Sequence, residues 1–404
     1  MKILIINKFL HPNGGSETYI FKIGDKLQEL GNEVQYFGMD HPKRIVGNRI
    51  DSYTSNVDFH TKALKKFLYP FKIIYSKEAY NKLWKVLLDF EPDVVHINNF
   101  NFQLTPSIIY AINSYEKKAG KVIKVIYTAH DLQLVCPNHL MMHPISKEKC
   151  DACVTKGAFQ CMKNKCIHGS FVKSLLGSIE ATLYQSLKTY KMLDTIICPS
   201  KFLKQKLDTN EVLRKKTIVL QNFVDMKKKD LAVIKEDYIL YLGRFSEEKG
   251  IRTLLEACKA LPEISFHFAG NGLLEDEIKK VSNAKIMGFL SGDRLTEEIQ
   301  KATAVVFPSE CYENCPFTVM EAQLCGTPVI ASNLGGTPEL IKDGETGKLF
   351  ESKNIKELVE AIKEIVNNQE KKTRYTNACK AVEFDNLNDY TKKLLQIYNE
   401  KKAK

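Results

Sequence analysis

Residues 304–345 constrain the chain more than any other stretch. An apolar run at 304–307 is short enough for one buried strand. The polar loop 308–315 follows. Pro316 then sits where a helix begins, because a proline there gives up only an N–H that has no intrahelical partner. Gly326 and Pro328 stand where that helix stops, and 328–331 reads as a second strand. Strand, loop, short helix, strand is the repeating unit of a parallel α/β sheet. The amino terminus repeats it. Residues 2–7 read as a buried strand, and Tyr19, Ile20, Ile23, Leu27 and Leu30 follow at helical spacing until Gly31. Residues 34–37 form the next strand. Further strands are expected at 93–97, 122–128, 195–198, 217–220, 238–242, 264–269 and 284–290. The pattern predicts doubly wound, Rossmann-like α/β domains.

A chain of 404 residues exceeds what one compact core holds, so two domains are expected. The charge-rich stretch 226–237, with Lys227-Lys228-Lys229, reads as the linker. The expected division is 1–228, 229–382, and a terminal helix at 383–404. No apolar run approaches the ~20 residues that span a bilayer, and the apolar start is too short for a signal peptide. The expected location is the cytoplasm. Net charge is +11 and uneven: residues 1–200 hold 26 Lys+Arg against 17 Asp+Glu, the remainder 33 against 31. A basic amino-terminal half suits an anionic partner: a phospholipid surface, a lipid-linked phosphate or nucleic acid. A plain basic surface with no partner is the alternative. No nucleic-acid module is visible, and the aromatics follow core periodicity, which argues against a nucleic-acid partner.

Several polar residues fall where open α/β sheets bind ligands, at the carboxyl ends of strands. Gly14 and Gly15 follow the first strand, and His130 with Asp131 ends the strand at 122–128. Arg244 and Lys249 lie between a strand and a helix, where two cations suit a diphosphate. Gly270-Asn271-Gly272 opens the segment after the strand at 264–269. Glu313 and Glu321, with seven residues between them, bracket the helix start at Cys315-Pro316-Phe317-Thr318, and a helix N-terminus attracts phosphate. A sugar–diphosphate–ribose ligand has the matching shape. Each of these residues, taken singly, is also an ordinary surface or loop residue.

Glu313-x7-Glu321, Gly326-Thr327-Pro328-Val329 and Gly335-Gly336-Thr337-Pro338-Glu339 together resemble the nucleotide-binding signature of retaining glycosyltransferases of family 4. That family has the GT-B fold, two Rossmann-like domains facing across a cleft. The resemblance implies that Glu313 binds donor-sugar hydroxyls and Glu321 the ribose, with the 315–318 backbone on the diphosphate. It implies that Gly-Arg-x4-Lys-Gly at 243–250 clamps the diphosphate through Arg244 and Lys249. Gly14, Gly15, Asn271 and Gly272 would lie beside the donor, with His130 near the reactive sugar. Glu-Asn-Cys-Pro replaces the common Glu-Gly-Phe-Pro, which leaves the sugar open. The implied activity is metal-independent hexosyl transfer with retention, from a UDP- or GDP-sugar. The implied acceptor is a saccharide or lipid-linked saccharide of capsule or lipopolysaccharide synthesis. An epimerase or phosphorylase on the same fold is the alternative.

Two segments stand apart. In an insertion at 136–168, Cys150-x2-Cys153-x7-Cys161-x4-Cys166 has spacings at which thiolates chelate one structural zinc. Reduced buried cysteines or a labile disulfide are the other readings. Similar insertions occur in a branch of family 4 that resembles capsule and lipopolysaccharide enzymes. They lie in the acceptor half. Residues 61–77 mix lysines with aromatic and aliphatic side chains, as a peripheral membrane contact does, or as two short packed helices do.

Overall fold

A computed structural model of the chain describes residues 1–56, 69–226 and 234–402. Of the stretch 61–77 read as a membrane contact, residues 61–68 lie outside the described residues and Tyr69–Ile74 forms a short helix; most of the expected linker also lies outside them. The chain groups into two compact units, Met1–Gln221 with Leu387–Lys404, and Asn222–Asn386.

The first unit holds a six-stranded parallel sheet made of β1 (Lys2–Ile6), β2 (Glu33–Phe37), β3 (Val94–Ile97), β4 (Lys124–Thr128), β5 (Thr195–Cys198) and β6 (Thr217–Val219). Their order is β2-β1-β3-β4-β5-β6. The second unit holds β7 (Glu236–Leu242), β8 (Ser265–Ala269), β9 (Ala284–Gly288), β10 (Ala302–Phe307), β11 (Val329–Ser332) and β12 (Gly347–Phe350), in the order β12-β11-β10-β7-β8-β9. Each sheet therefore has a point where the chain order reverses, between β1 and β3 in one and between β7 and β10 in the other. Ile6 pairs with Ile97 and Val306 with Tyr241, so the loops leaving these strand pairs start side by side.

Alternation along the strands explains why the runs are apolar throughout. Ile239, Tyr241, Phe266, Phe268, Ala304 and Val306 point into one core of the second unit. Tyr238, Leu240, Leu242, Val305 and Phe307 point into the other. With both faces buried, no polar side remains to mark the period, as parallel sheets require.

The strands lie where the sequence pattern puts them, with shifted ends. β12 is unanticipated, because Gly347-Lys348-Leu349-Phe350 contains no apolar run. The stretch after the cysteine insertion forms helix Phe171–Ser186, capped by Ser170, and a 3-10 turn at Thr189–Met192; Lys188 between them adopts φ +50°. Ser200 caps Lys201–Leu207 by accepting from the Leu203 N–H. The terminal helix Leu387–Asn399 packs in the first unit. Its Tyr390 hydroxyl lies 2.7 Å from that of Tyr19, and its Tyr398 hydroxyl 2.6 Å from His96 Nδ1. Among the described residues no helix is long and apolar enough to cross a membrane.

Candidate active site

In the second unit the loop after β7 carries Arg244 and Lys249, and the loop after β10 carries Glu313. Gly250 lets the two backbones meet. Its φ is +74°, and a Cβ there would stand 1.9 Å from the Pro308 carbonyl oxygen. This approach sets the Lys249 ammonium against the Glu313 carboxylate as an ion pair. Ser309 Oγ donates to the same carboxylate at 3.0 Å. On the backbone side, the Gly336 N–H donates to the Glu313 carbonyl at 2.7 Å. A Cβ on Gly335, at φ +68°, would stand 2.5 Å from that carbonyl oxygen. Glu313 is thus held at both ends. Burial works against the charge on Lys249, but Glu313 and then Cys311 outweigh it and hold the ammonium above the usual lysine range. Lys249 is a cation throughout the neutral range.

Arg244 is exposed on the same loop, near enough for its charge to act on Lys249. The Tyr241 hydroxyl fixes its backbone by donating to the Arg244 carbonyl at 2.9 Å. The Asn271 carbonyl accepts from the Phe245 N–H at 2.8 Å, and Gly272 lies against the Phe245 backbone. Asn271 and Gly272 therefore brace the Arg244 loop, and the short helix that follows them begins at Glu275. Pro316 is the N-cap of helix Phe317–Leu324 rather than its first residue, and no side chain caps it. The first amides of that helix, at Phe317 and Thr318, have no intrahelical acceptor. Cys315 is buried, its carbonyl accepting from Asn222 Nδ2 at 3.1 Å. Phe317 meets the Phe223 ring edge to face at 5.9 Å. Glu321, half-buried, sits on the second turn.

In the first unit, the loops after β1, β3 and β4 converge. Asn7 Nδ2 donates to Glu17 Oε1 at 2.9 Å, and Asn7 Oδ1 accepts from the Asn99 N–H at 3.0 Å. Gly14 is the uncapped N-cap of helix Gly15–Glu29. Its backbone is extended, and a Cβ there would meet only Glu17 Oε2 at an ordinary 3.5 Å. His130 Nε2 lies 2.9 Å from Asn98 Oδ1, with the Tyr19 ring at 5.2 Å. Burial lowers its pKa to about 4 against the pull of Asp131, so at neutral pH the ring is uncharged. Asp131 itself pairs with His139 Nδ1 at 3.1 Å. Asn98, His139 and the Asn7–Glu17 brace were not singled out from the sequence. The available signal was a polar residue directly after each apolar strand.

His96, fully buried under this loop cluster, is lowered by burial to about 3. The unfolded chain takes up these two protons near the ordinary value of 6.5, whereas the folded chain resists until about 4 and 3. Between these values the unfolded state binds more protons, so stability falls as pH falls. The thermal midpoint of the first unit should drop steadily from pH 7 to pH 4, and His96→Gln should flatten the slope. A flat wild-type profile would contradict this.

Residues 13–228 match the family described as Glycosyltransferase Family 4. The chain belongs to glycosyltransferase family 4. Residues 223–382 of this family 4 chain match the second description, Glycosyl transferases group 1. An uncharacterised glycosyltransferase of Methanocaldococcus jannaschii is 28% identical over 79% of the chain and 86% of its own length. The lipopolysaccharide core biosynthesis glycosyltransferase LpsE of Rhizobium meliloti is 25% identical over 51% of the chain and 62% of its own length. Among solved structures, Anabaena HepE in complex with UDP-glucose superposes with a TM-score of 0.65 at 16% identity, covering 98% of this chain and 99% of that one. The two parallel sheets are those of the GT-B fold.

The cysteine insertion of this glycosyltransferase departs from the expected quartet. Cys136, Cys150, Cys153, Cys161 and Cys166 line one cavity. Within it, the Cys136 thiol donates to Asn138 Oδ1 at 2.9 Å and the Cys153 thiol to the Ala158 carbonyl at 3.9 Å, with Cys136 beside Cys153 and Cys161 beside Cys166. Cys136 thus takes the place expected for Cys150, whose N–H donates to the Met141 carbonyl at 2.8 Å. The sulfurs meet as two pairs, and among the described residues no three His, Cys, Asp or Glu side chains are disposed as a metal-ligand set.

Proposed function

We propose that this chain transfers a sugar, with retention of configuration, from a nucleoside-diphosphate sugar to a saccharide or lipid-linked saccharide acceptor in cell-surface polysaccharide synthesis. The observation that carries the reading is the Lys249–Glu313 pair, built by two adjoining loops at the point where the second sheet reverses its chain order. That is where open α/β sheets bind nucleotides. Arg244 and Lys249 supply the cations for a diphosphate. The uncapped start of helix Phe317–Leu324 supplies amides to it. Glu313 binds donor hydroxyls and Glu321 the ribose. The UDP-glucose held by HepE and the lipopolysaccharide role in the name of LpsE support a UDP-sugar and a surface glycan.

The step itself breaks the bond between the anomeric carbon and the diphosphate oxygen and forms one to the acceptor hydroxyl oxygen on the same face. The acceptor proton passes to a phosphate oxygen. Negative charge grows on the departing diphosphate, and fixed cations placed there stabilise that change rather than the ground state. His130, neutral at working pH, takes a hydrogen bond from the donor sugar and is not an acid catalyst. Among the described residues only Glu17 Oε2, at an ordinary 3.5 Å, would meet a Cβ on Gly14, which leaves room for a ligand beside the Gly14-Gly15 turn. The excess positive charge of residues 1–200 suits an acceptor at an anionic membrane surface in the cytoplasm.

A thermal-shift panel of UDP- and GDP-sugars tests the donor, and transfer to lipid-linked saccharides follows with the best binder. The glycoside formed should keep the donor's anomeric configuration by proton NMR, and turnover should persist in excess EDTA. Inversion or chelator-sensitive turnover would overturn the mechanism. Donor turnover that needs no acceptor, or that needs free phosphate, would favour the epimerase or phosphorylase alternative.

A further inference from the structure

Helix Phe171–Ser186, which follows the cysteine insertion, is patterned inside out. Its buried residues are Ser174, Gly177, Ser178 and Tyr184. Its large apolar residues face solvent. Phe171 is 50% exposed, Val172 62%, Ile179 36% and Leu183 39%, and Leu187 just past the end is 58% exposed. At about 100° per residue, Val172, Leu176, Ile179 and Leu183 fall in one stripe about 60° wide. A stripe with that spacing ordinarily faces a core. We propose that this stripe, with the lysines around it, lies on an anionic phospholipid surface.

The inward face of the helix is already taken. Ser178 Oγ donates to the Ala158 carbonyl at 2.9 Å and accepts from the Met162 N–H at 3.2 Å. Ser174 Oγ accepts from the Ile167 N–H at 2.9 Å. A Cβ on Gly177 would stand 2.5 Å from Ile167 Cδ1, so the insertion presses directly on the helix backbone. The Tyr184 hydroxyl donates to the Ile74 carbonyl at 2.5 Å, which seats helix Tyr69–Ile74 against the same helix. Turning the stripe inward would break every one of these hydrogen bonds and leave buried groups unpaired.

Charge decides the occupant. Between residues 147 and 191 there are eight lysines against three acidic residues, Glu148, Asp151 and Glu180. All eight lysines are exposed, among them Lys173 in the first turn of the helix and Lys188 and Lys191 beyond its last. An apolar stripe rimmed by lysines suits a helix lying in the plane of a bilayer surface, its stripe among the upper acyl chains and its lysines at the headgroups. A second copy of the chain fits worse, because a two-fold interface would set lysines against lysines. The helix has 16 residues and is about 24 Å long, short of the ~30 Å of a hydrocarbon core, so it lies along the surface. The proposal does not rest on the sugar-transfer reading, and its test needs neither donor nor acceptor.

Co-sedimentation of the full-length chain with lipid vesicles tests it. Vesicles of phosphatidylcholine with about a third phosphatidylglycerol should bind the protein at least about tenfold more tightly than phosphatidylcholine alone. Raised salt should narrow that gap. Val172→Glu combined with Leu183→Glu should weaken binding to the anionic vesicles at least about tenfold, and Lys173→Gln about fivefold. Val122→Glu, at an exposed apolar site elsewhere in the first unit, should change nothing. Hydrogen exchange of the wild type needs no variant to fold, and anionic vesicles should slow it over residues 170–188. No binding to anionic vesicles would overturn the proposal, as would a Val172→Glu/Leu183→Glu protein that binds like wild type. Protection confined to other residues would overturn the choice of helix. A wild-type dimer that the double variant makes monomeric would give the stripe to a second copy and overturn the membrane assignment.

Discussion

Lys249→Ala should lower kcat/KM by about 10²–10³-fold, roughly 3–4 kcal/mol of transition-state stabilisation. The ammonium stands against Glu313 in a partly buried setting, and its proton affinity is raised rather than lowered. A cation so placed keeps its charge while a diphosphate departs, and water cannot replace it without reorganising. The loss should appear mainly in kcat, because the charge it meets grows during the step. Removing Lys249 also strands the Glu313 carboxylate, whose side chain is only 19% exposed, so rates need measuring well below the unfolding midpoint. Lys259→Ala provides the comparison. Lys259 pairs with Glu256 on the open surface, both more than half exposed, and its loss should change nothing measurable. A Lys249→Ala enzyme within fivefold of wild type would remove the central claim.

Gly250→Ala should harm both stability and turnover. Alanine at φ +74° carries a strain of about 1–3 kcal/mol before any contact is counted. Its Cβ would also stand 1.9 Å from the Pro308 carbonyl oxygen, and backbone cannot swing aside as a flexible side chain does. The loops after β7 and β10 must therefore separate, and Lys249 moves away from Glu313 with them. At about 2–4 °C per kcal/mol for a unit of this size, the thermal midpoint should fall by several degrees. Turnover should fall by at least tenfold in protein that is still folded. Gly344→Ala separates the strain from the contact: its φ is +77°, yet no atom lies within 4 Å of its added Cβ. That variant should lose stability and keep its activity. Equal activity losses at both sites would sink the explanation.

The parallel sheets were legible because buried strands such as 304–307 are apolar without interruption, and because prolines and glycines mark where helices begin and end. Gly347–Phe350 escaped notice because an edge strand with a glycine and a lysine has no such run. At the candidate site, residue types and spacing singled out Lys249 and Glu313. That they pair depends on Gly250 and Pro308, residues far apart in the chain whose contact only the folded backbone creates. Asn98 and His139 could not be read in advance, since their meaning lies in which side chain they face. The cysteines show the same limit. Spacing favoured Cys150 beside Cys153, whereas the fold brings Cys136 there from the loop after β4. Local spacing counts neighbours along the chain, and a thiol cluster counts neighbours in space.

The terminal helix has a bearing on what a shortened chain contains. The chain leaves the first unit at Gln221, completes the second, and returns at Leu387. In chain order the second unit is therefore complete at Asn386, while the first still lacks its last helix. Without that helix, Tyr19 and His96 lack the hydroxyls of Tyr390 and Tyr398. A chain ending before residue 387 therefore holds every residue of the carboxyl-terminal unit but lacks the last helix of the amino-terminal one.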